Sequence, residues 1–519
     1  MRRLVLPVRS STMFSTLDRL KRGIRTAGRS RRATKPLTGR PRLASLIEAH
    51  VCAGRTAATL IPLLPAKVEK FAPPLAFAVG RLAEEAEEFS RARELFERAA
   101  VSADPQLRRR ATAHLAHLDY YAGAFSIGLE RASLAVPGAT GIARVETELY
   151  ASVNAIALNR SALALDCATA AANGLRRVAD QAIRTDARFR VGRQLVHVLV
   201  ARGDYVGAWN EAEGARRSAL HVQSERHLAL AQYLCGYVAL ARGNRGCLAH
   251  FQESARANSE DGHAFGRWLD YVWASALRDF GDSARACVFW RRSTLSVPWE
   301  DPLFILACGN EAPFVALEGS SDERPFRSAM RGVQQILAND SPSAIALLES
   351  AAEEFERCGL EHYRRGAALA LAAALLRAGH HGRAVGILRV ETPGLAKSQA
   401  QRWAWSHSVL TRELAAAALA VHLEPSYWRS LARPRAKGAT VEDVMRARGL
   451  TEREISVTLA WLAQPKLGRA AFARGQRLAE SSVRNHINAV RRKLGCGIAR
   501  GPVTVERRLA ELTRSIELQ

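Results

Sequence analysis

The sequence lacks the features that mark membrane-spanning, disulfide-stabilised and zinc-binding proteins. No apolar run approaches the roughly 18–20 residues that cross a bilayer, and the longest candidate, Ala367 to Leu376, ends at Arg377. The 8 cysteines lie far apart between Cys52 and Cys496. No two of them have the C-x₂₋₄-C spacing of a zinc site, and a scattered set in a chain of this length does not indicate a disulfide framework. We interpret them as small core residues in a reducing compartment, the cytoplasm.

The motifs of common enzyme classes are also missing. There is no G-x-x-x-x-G-K-[ST] phosphate loop, no G-x-G-x-x-G after a strand, no H-E-x-x-H and no G-x-S-x-G. The pair His380-His381 stands in a turn, and we interpret it as polar turn sequence. We therefore expect no catalytic residue, no metal ion and no cofactor. An enzyme would need a pocket of titratable groups that the sequence does not reveal.

The chain does carry many helix-forming residues and a strong positive charge. At 519 residues it predicts several domains or a repeat array, and its abundant Ala, Leu and Arg favour helices. Of the net charge of +25, residues 1–43 contribute +12 and residues 441–519 contribute +7. This distribution favours an anionic partner, nucleic acid before a membrane surface. The alternative is an Arg-rich proteome in which basic residues cover helix surfaces.

Residues 1–43 contain 13 Lys and Arg and a single acid, Asp18. We favour a disordered basic arm that touches nucleic acid weakly. Two other interpretations stay open: a transit peptide, and an over-extended start with Met13 as the initiator, in which case residues 1–12 are not translated.

One short pattern recurs from about residue 75 to residue 390. A Gly, an Asn or another polar residue follows a helix, and a small residue stands five positions later. The instances are Glu87…Ala92, Gly123…Gly128, Asn159…Ala164, Gly203…Ala208, Gly243…Leu248, Gly281…Ala286, Asn339…Ala344 and Gly379…Ala384. Gly or Asn can close a helix in the left-handed conformation, and a small residue lets the next helix approach closely. The pattern predicts antiparallel helix pairs that stack.

The turn Gly203-Asp204-Tyr205-x-x-Ala208 resembles that of tetratricopeptide repeats, although the spacing of 36 to 58 residues exceeds the family's 34. The resemblance implies an all-α helical solenoid over residues 44–430 that binds a protein or peptide. The alternative is a non-repeating helical domain. Tryptophans that would line a groove or fill the core are Trp209, Trp268, Trp273 and Trp290; we favour the core.

Residues 431–440 have linker composition, and residues 441–519 predict four short helices. Thr451 and Glu454 fit a capping box, with Leu450 and Ile455 as its hydrophobic staple. We expect the buried face of that first helix to include Leu459 and Leu462. A second helix near residues 469–476 points Phe472 and Ala473 inward. A third, near 480–494, has an apolar stripe, and a fourth near 503–516 would pack onto this core. The stripe of the third helix consists of Val483, Ile487, Val490 and Leu494.

The polar side chains of the third helix suit a DNA major groove. Arg can pair with guanine and Asn with adenine, while Arg and Lys further along neutralise phosphates. We assign to DNA binding Ser482, Arg484, Asn485, Asn488, Arg491, Arg492 and Lys493. The alternative is a surface helix with solvated charges.

The stretch Leu450–Gly495 resembles the LuxR-type helix-turn-helix family of bacterial transcriptional regulators. The resemblance rests on Leu-Thr-x-Arg-Glu at 450–454, Ala473, Ser-Val-Arg-x-His-Ile at 482–487 and Lys-Leu-Gly at 493–495. It implies that Arg484, Asn485 and Asn488 face the bases and that His486 is structural. The Leu-Thr-x-Arg-Glu motif that opens this stretch is also similar to the opening of sigma-factor region 4. The sequence departs from the family at Gln476 and at Ala479, where a capping Ser or Thr is usual, so we expect Glu480 or Ser481 to cap the third helix.

We therefore predict a cytoplasmic DNA-binding transcriptional regulator whose repeats act as a sensor or protein-interaction module. The expected partners are double-stranded DNA and a protein or peptide, with a homodimer left open and no membrane. The alternative is a scaffold whose C-terminal bundle binds protein. Neutralisation of the third helix by Glu480, Glu506 or Glu511 would favour the scaffold. Neither a phosphate loop nor a receiver domain is present to switch the regulator.

Overall fold

The structure is a computed structural model. It describes residues 41–52, 71–222, 224–258, 266–280, 286, 289, 324–398, 400, 408–432, 445, 450–462, 469–475 and 478–494. Several predictions lie outside these residues: those for the arm before residue 41, for Gly281, for residues 433–440 of the linker, for the helix near 503–516, and for the side chains of Trp268, Trp290, Leu462 and Leu494. Within the described part all regular structure is helical. None of the helices there combines the length and apolar character needed to cross a bilayer.

The helices follow one another in pairs. Helix α1 spans Pro41–Cys52. The next ten are α2 Pro73–Glu85, α3 Phe89–Ala100, α4 Pro105–Tyr121, α5 Phe125–Ala135, α6 Gly141–Ala157, α7 Ser161–Gly174, α8 Gln181–Ala201, α9 Tyr205–Val222, α10 Glu225–Ala241 and α11 Cys247–Asn258. Each of α2, α4, α6 and α8 packs against the helix that follows it, and successive first helices also touch, α2 with α4, α4 with α6 and α6 with α8. This is the stacking of a tetratricopeptide-like helical repeat, as the sequence predicts.

The helices of the second half continue the sequence of pairs. They are α12 Gly266–Asp279, α13 Arg324–Leu337, α14 Ser341–Arg357, α15 Glu361–Arg377, α16 His381–Ser398, α17 Ser408–Ala420 and α18 Pro425–Ala432. Three short helices end the described chain: α19 Glu452–Leu462, α20 Arg469–Gly475 and α21 Glu480–Leu494.

The predicted turn residues close their helices in the left-handed conformation. Their φ values lie between 58° and 81°, for Glu87, Gly123, Asn159, Gly203, Gly243, Asn339 and Gly379. At the first of them, the Glu88 N–H donates to the Ala83 carbonyl at 2.9 Å and the Glu87 N–H donates to the Glu84 carbonyl at 3.1 Å. The same two bonds recur at the other six turns and form a Schellman motif. The prediction from the turn pattern is therefore confirmed at these positions.

The small residue five positions later lies where its helix closely approaches a neighbouring helix. Five alanines at this position have no exposed surface, and Ala286 is 5% exposed; the five are Ala92, Ala164, Ala208, Ala344 and Ala384. At Gly128, an added Cβ would lie 2.3 Å from Oδ1 of Asn154 on α6, so no larger residue fits. Leu248 is the exception, because α11 begins only at Cys247, and Cys247 is the buried residue there.

Two further Schellman turns do not match the sequence pattern. Gly359 has a φ of 66° and His422 a φ of 55°, and both close their helices with the same backbone bonds. They were missed because Arg364 and Tyr427, five positions later, are large. The Gly359 turn docks on earlier repeats, since Ser161 Oγ donates to the carbonyl oxygens of Cys358 at 2.8 Å and Gly359 at 3.1 Å.

The chain packs as two compact units. Unit 1 comprises the described residues within Met1–Val238, Gln252–Gly266 and Ala352–Arg365, and unit 2 comprises those within Ala239–Phe251, Arg267–Ala351 and Gly366–Gln519. In unit 1 the apolar core around Phe77 and Phe96 joins α1 to the first two helix pairs. In unit 2, Arg377 on α15 donates to Glu413 on α17 at 2.8 Å and to the Ile336 carbonyl at 2.8 Å.

Candidate functional site

The first helix of the C-terminal segment, α19, begins at a complete capping box. The Thr451 N–H donates to Glu454 Oε2 at 2.7 Å, and the Glu454 N–H donates to Thr451 Oγ1 at 3.2 Å. Leu450 and Ile455, the predicted staple, are 6% and 3% exposed and belong to one apolar cluster. These local interactions fix where the helix starts and how the chain enters it.

Helices α19, α20 and α21 share one small apolar core. Phe472 on α20 is fully buried, and Val483 and Ile487 on α21 are at most 7% exposed. Both α19 and α20 pack against α21. The predicted stripe of α21 is confirmed at its described positions. The buried face of α19 is wider than predicted, because Val457 and Trp461 are buried while Leu459 is only partly so.

The remaining faces of α21 carry the predicted DNA-binding side chains. At about 100° per residue, an arc of roughly 100° holds Arg484, Asn488, Ser481, Arg492 and Asn485, in that order. All five are exposed, and the arc lies opposite the buried stripe. Ser481 belongs to this surface although we did not assign it from the sequence. We call these five residues the outer face of α21.

The other three assigned residues lie beside the outer face. Ser482 and Arg491 are half-buried on its two flanks. Lys493 donates from Nζ to Glu454 Oε2 at 2.6 Å, so α21 is tied to the capping box of α19. Burial alone would raise the pKa of the Glu454 carboxyl, but the hydrogen bonds from Lys493 and Thr451 outweigh it and hold that pKa below its usual value.

The start of α21 differs from expectation. The helix begins at Glu480, and the Ala479 carbonyl accepts the first helical hydrogen bond from the Val483 N–H at 3.1 Å. Ala479 is therefore the N-cap residue, and the expectation that Glu480 or Ser481 would take this position is wrong. Leu478 is held by its N–H, which donates to the Ala473 carbonyl of α20 at 2.9 Å.

The charge of the outer face is only weakly offset. Helix α21 carries four basic residues and one acid, a net charge of +3. That acid, Glu480, has its Oε1 4.0 Å from Arg484 Nη2, and the two side chains are 47% and 57% exposed. An exposed pair at this distance contributes at most about 1 kcal/mol. A phosphate or a base edge can therefore compete for Arg484.

A second cluster of charged side chains lies inside unit 1, and sequence reasoning missed it. Glu146 on α6 has no exposed surface and accepts from Arg110 Nε at 2.8 Å and from Arg190 Nη2 at 3.2 Å. Arg81 Nη1 is 3.6 Å from the same carboxylate, and Arg81 Nη2 donates to Asp186 at 3.3 Å. The partners come from α2, α4, α6 and α8, so these pairs join the first helices of four consecutive repeats. We call this cluster the ionic interior.

Histidines extend the ionic interior. Glu84 Oε2 is 2.7 Å from His114 Nδ1, and Glu84 Oε1 is 2.7 Å from His117 Nδ1. Burial opposes charge on Glu84, but the attraction and hydrogen bonds of these two histidines dominate and hold the pKa of its carboxyl well below its usual range. Burial lowers the pKa of His117 despite its bond to Glu84. Further along α8, burial followed by the nearby Arg193 charge lowers the pKa of His197 to about 3.

The structure describes the side chains of two of the four tryptophans. Trp209 and Trp273 are half-buried, and the Trp273 ring lies 4.6 Å from the Phe289 ring. Among the described residues, no group of three or more His, Cys, Asp or Glu side chains is arranged to hold a metal ion.

Comparison with known proteins assigns no family to this chain. No protein-family model matches the chain, and no curated protein matches it. Among solved structures the chain is similar to a Rap protein complexed with competence and sporulation factor, with 11% identity over 76% of this chain and 99% of that one and a TM-score of 0.37. The assignment as a helical repeat therefore rests on the pairs and turns described above.

Proposed function

We propose that this chain is a non-enzymatic, cytoplasmic DNA-binding transcriptional regulator of the LuxR type, whose repeats bind a protein or peptide partner. The outer face of α21 carries the proposal. Two asparagines and two arginines lie on one exposed arc of a helix whose opposite side is packed on α19 and α20. Such a helix can enter a major groove, where Arg and Asn read base edges.

The positions of the assigned residues along α21 support two different roles in binding DNA. Arg484 and Asn485 stand in the first half of α21, where base-reading residues of helix-turn-helix proteins lie, and Asn488 follows one turn later on the same face. Arg492 and Arg491 stand in its last turn and suit phosphates. Lys493 already binds Glu454, so it positions α21 against α19 and contributes less to DNA.

The proposal can be tested with the full chain. Duplexes would be selected from a random library, and the affinity for a selected and an unrelated duplex measured across a salt titration. Arg484→Ala should weaken binding to the selected duplex about 5- to 150-fold, the worth of one good contact to a base, and change binding to the unrelated duplex little. Arg389→Ala, at an exposed arginine of α16, is the matched control and should change neither.

Glu480→Gln gives an opposite prediction. Removing the only acid of α21 should strengthen binding to both duplexes, because phosphates then meet no repulsion from this position. If the wild-type chain binds no duplex at low salt, DNA binding is excluded.

The alternative is a scaffold whose C-terminal helices bind protein. The contact between Glu480 and Arg484 favours it, because it partly neutralises the outer face. The two functions differ in salt response: phosphate binding should fall steeply with salt, whereas a protein contact made mainly through apolar groups should not.

A further inference from the structure

Helix α1 is not stacked like another repeat. A stacked helix touches only its neighbouring pair, but α1 packs against α2 and also against α8. Its Glu48 Oε1 lies 2.6 Å from Arg110 Nη2 on α4. Its Val51 carbonyl accepts from Arg226 Nη1 on α10 at 3.4 Å. The helix therefore contacts the first helices of four different pairs, α2, α4, α8 and α10, as a bound ligand would. We call the surface that these four helices present to α1 the inner surface of unit 1.

The buried face of α1 is mainly apolar, with the buried His50 on it and Glu48 beside it. Leu43, Ile47 and Val51 recur every four residues and are 6%, 0% and 1% exposed, in one cluster with Phe71 and other core residues. On the opposite side Ser45 and Ala49 are exposed. This is the pattern by which an amphipathic helix binds a groove, and Glu48 supplies the charge that meets Arg110.

The inner surface keeps its charges paired without α1. Arg110 retains its two bonds to Glu146, at 2.8 and 3.2 Å, and Arg226 retains its hydrogen bond to Glu85. Departure of α1 breaks the Glu48–Arg110 ion pair and the Arg226–Val51 hydrogen bond, and both arginines then still have a carboxylate partner. A helix that the ionic interior needed for charge balance would be far costlier to remove.

We propose that the inner surface of unit 1 is a helix-binding surface, that α1 is its in-chain occupant, and that the array binds its partner through an amphipathic helix with the same pattern, which displaces α1. The partner helix has apolar residues at three positions four apart and a carboxylate directly after the middle one. This deepens the partner-binding half of the proposed function and is independent of DNA binding. Because α1 is tethered, it competes at an effective concentration in the millimolar range.

The probe is a fluorescent peptide with the sequence of residues 41–52, carrying Cys52→Ser and blocked ends. Its binding to the full chain is followed by anisotropy, without DNA. In the full chain, Ile47→Asp places a charge at a completely buried position of α1 and should expel it. The peptide should then bind at least tenfold more tightly than to wild type. Ser45→Asp, on the exposed face of α1, is the matched control and should bind the peptide as wild type does.

A second experiment reverses the charge of the peptide's one acidic residue. Glu48→Lys in the peptide should reduce its affinity for the Ile47→Asp chain at least tenfold, because it faces Arg110. Equal affinity of the peptide for all three chains overturns the proposal, and so does loss of the cooperative helical melt in the Ile47→Asp chain, since α1 would then be an integral core helix.

Wild-type protein offers a measurement without any variant. Amide hydrogen exchange should be at least tenfold faster in α1 than in α4 and α6, because α1 leaves while the repeats stay folded. Equal protection of the three helices counts against a displaceable occupant. Neither result depends on whether the outer face of α21 binds DNA.

Discussion

Arginine has opposite surroundings in the ionic interior of unit 1 and on the outer face of α21. Arg81 is 1% exposed and lies between Glu146 and Asp186. The Arg484 side chain is 57% exposed and reaches one exposed acid at 4.0 Å. The difference arises because neighbouring helices place two buried carboxylates beside Arg81, whereas the acid near Arg484 is an exposed residue of the same helix. Paired and buried arginines hold repeats together, whereas an exposed arginine with a weak partner can offer its charge to another molecule.

The same substitution should have very different effects in the two regions. Glu146→Gln would leave Arg110 and Arg190 buried with less negative charge, so we expect it to lower the free energy of unfolding by about 3–5 kcal/mol. Glu480→Gln removes only an exposed pair and should change that free energy by less than about 0.5 kcal/mol. Chemical denaturation followed by circular dichroism measures both. A loss below about 1 kcal/mol for Glu146→Gln would mean that the ionic interior is not a structural requirement.

Acid should destabilise the repeats through their buried histidines. The pKa of His197 falls to about 3 in the folded chain, so the unfolded chain binds a proton first as the pH drops below the ordinary value of about 6.5. Stability present at pH 7 is therefore lost below 6.5, by about 2–3 kcal/mol at pH 4.5 through His197 alone. Depressed carboxyl pKa values, such as that of Asp186, add a further loss as the pH falls below about 4–5.

The measurement is the unfolding free energy at pH 7 and pH 4.5. His197→Phe keeps a ring against Tyr237, whose centroid is 4.9 Å away, and removes the titrating group. It should flatten the pH dependence, whereas His381→Phe at the exposed first residue of α16 should leave it unchanged. If His197→Phe leaves the slope as steep as in wild type, the loss has another source.

The two helix starts of the C-terminal segment give the smallest expected effects. Thr451→Ala removes one arm of the capping box and should destabilise α19 by about 1 kcal/mol. Ala479→Ser adds a side-chain acceptor at the N-cap of α21 and should stabilise it by up to about 1 kcal/mol. Amide exchange in α19 and α21 measures both, with Ser456→Ala on the exposed side of α19 as control. Opposite signs for the two variants are expected, and equal signs would contradict the cap assignments.

Features set by neighbouring residues were predictable from the sequence. The recurring turn pattern combines a Gly, Asn or polar residue with a small residue five positions later, and the capping box combines Thr and Glu three apart, so both are visible locally. The bounds of α21 and its buried stripe follow from period alone. Ala479 as N-cap was missed because its side chain carries no capping signal, and the choice of N-cap depends on how the preceding turn ends.

The ionic interior was not predictable in the same way. Arg81 and Asp186 are 105 residues apart in the chain, and the sequence around either residue does not indicate which residue it pairs with. Their pairing requires the stacking geometry of four repeats. The position of α1 has the same origin, because its contacts with α4, α8 and α10 depend on how those helices converge. The base-facing role of the outer face of α21 stays a prediction for the DNA measurements.

The Schellman turns also bear on how such a protein can be recognised. Their hydrogen bonds join backbone groups only, and the left-handed residue is Gly at some turns and Asn, Glu or His at others. Every one of these turns meets a stereochemical condition at one position, and most have a small residue five positions later, but no set of particular side chains is required. A repeat specified in this way can change most of its amino acids and keep the same helical hairpin. Residue identity is then a poor guide to such a repeat, whereas the geometry of its turns identifies it.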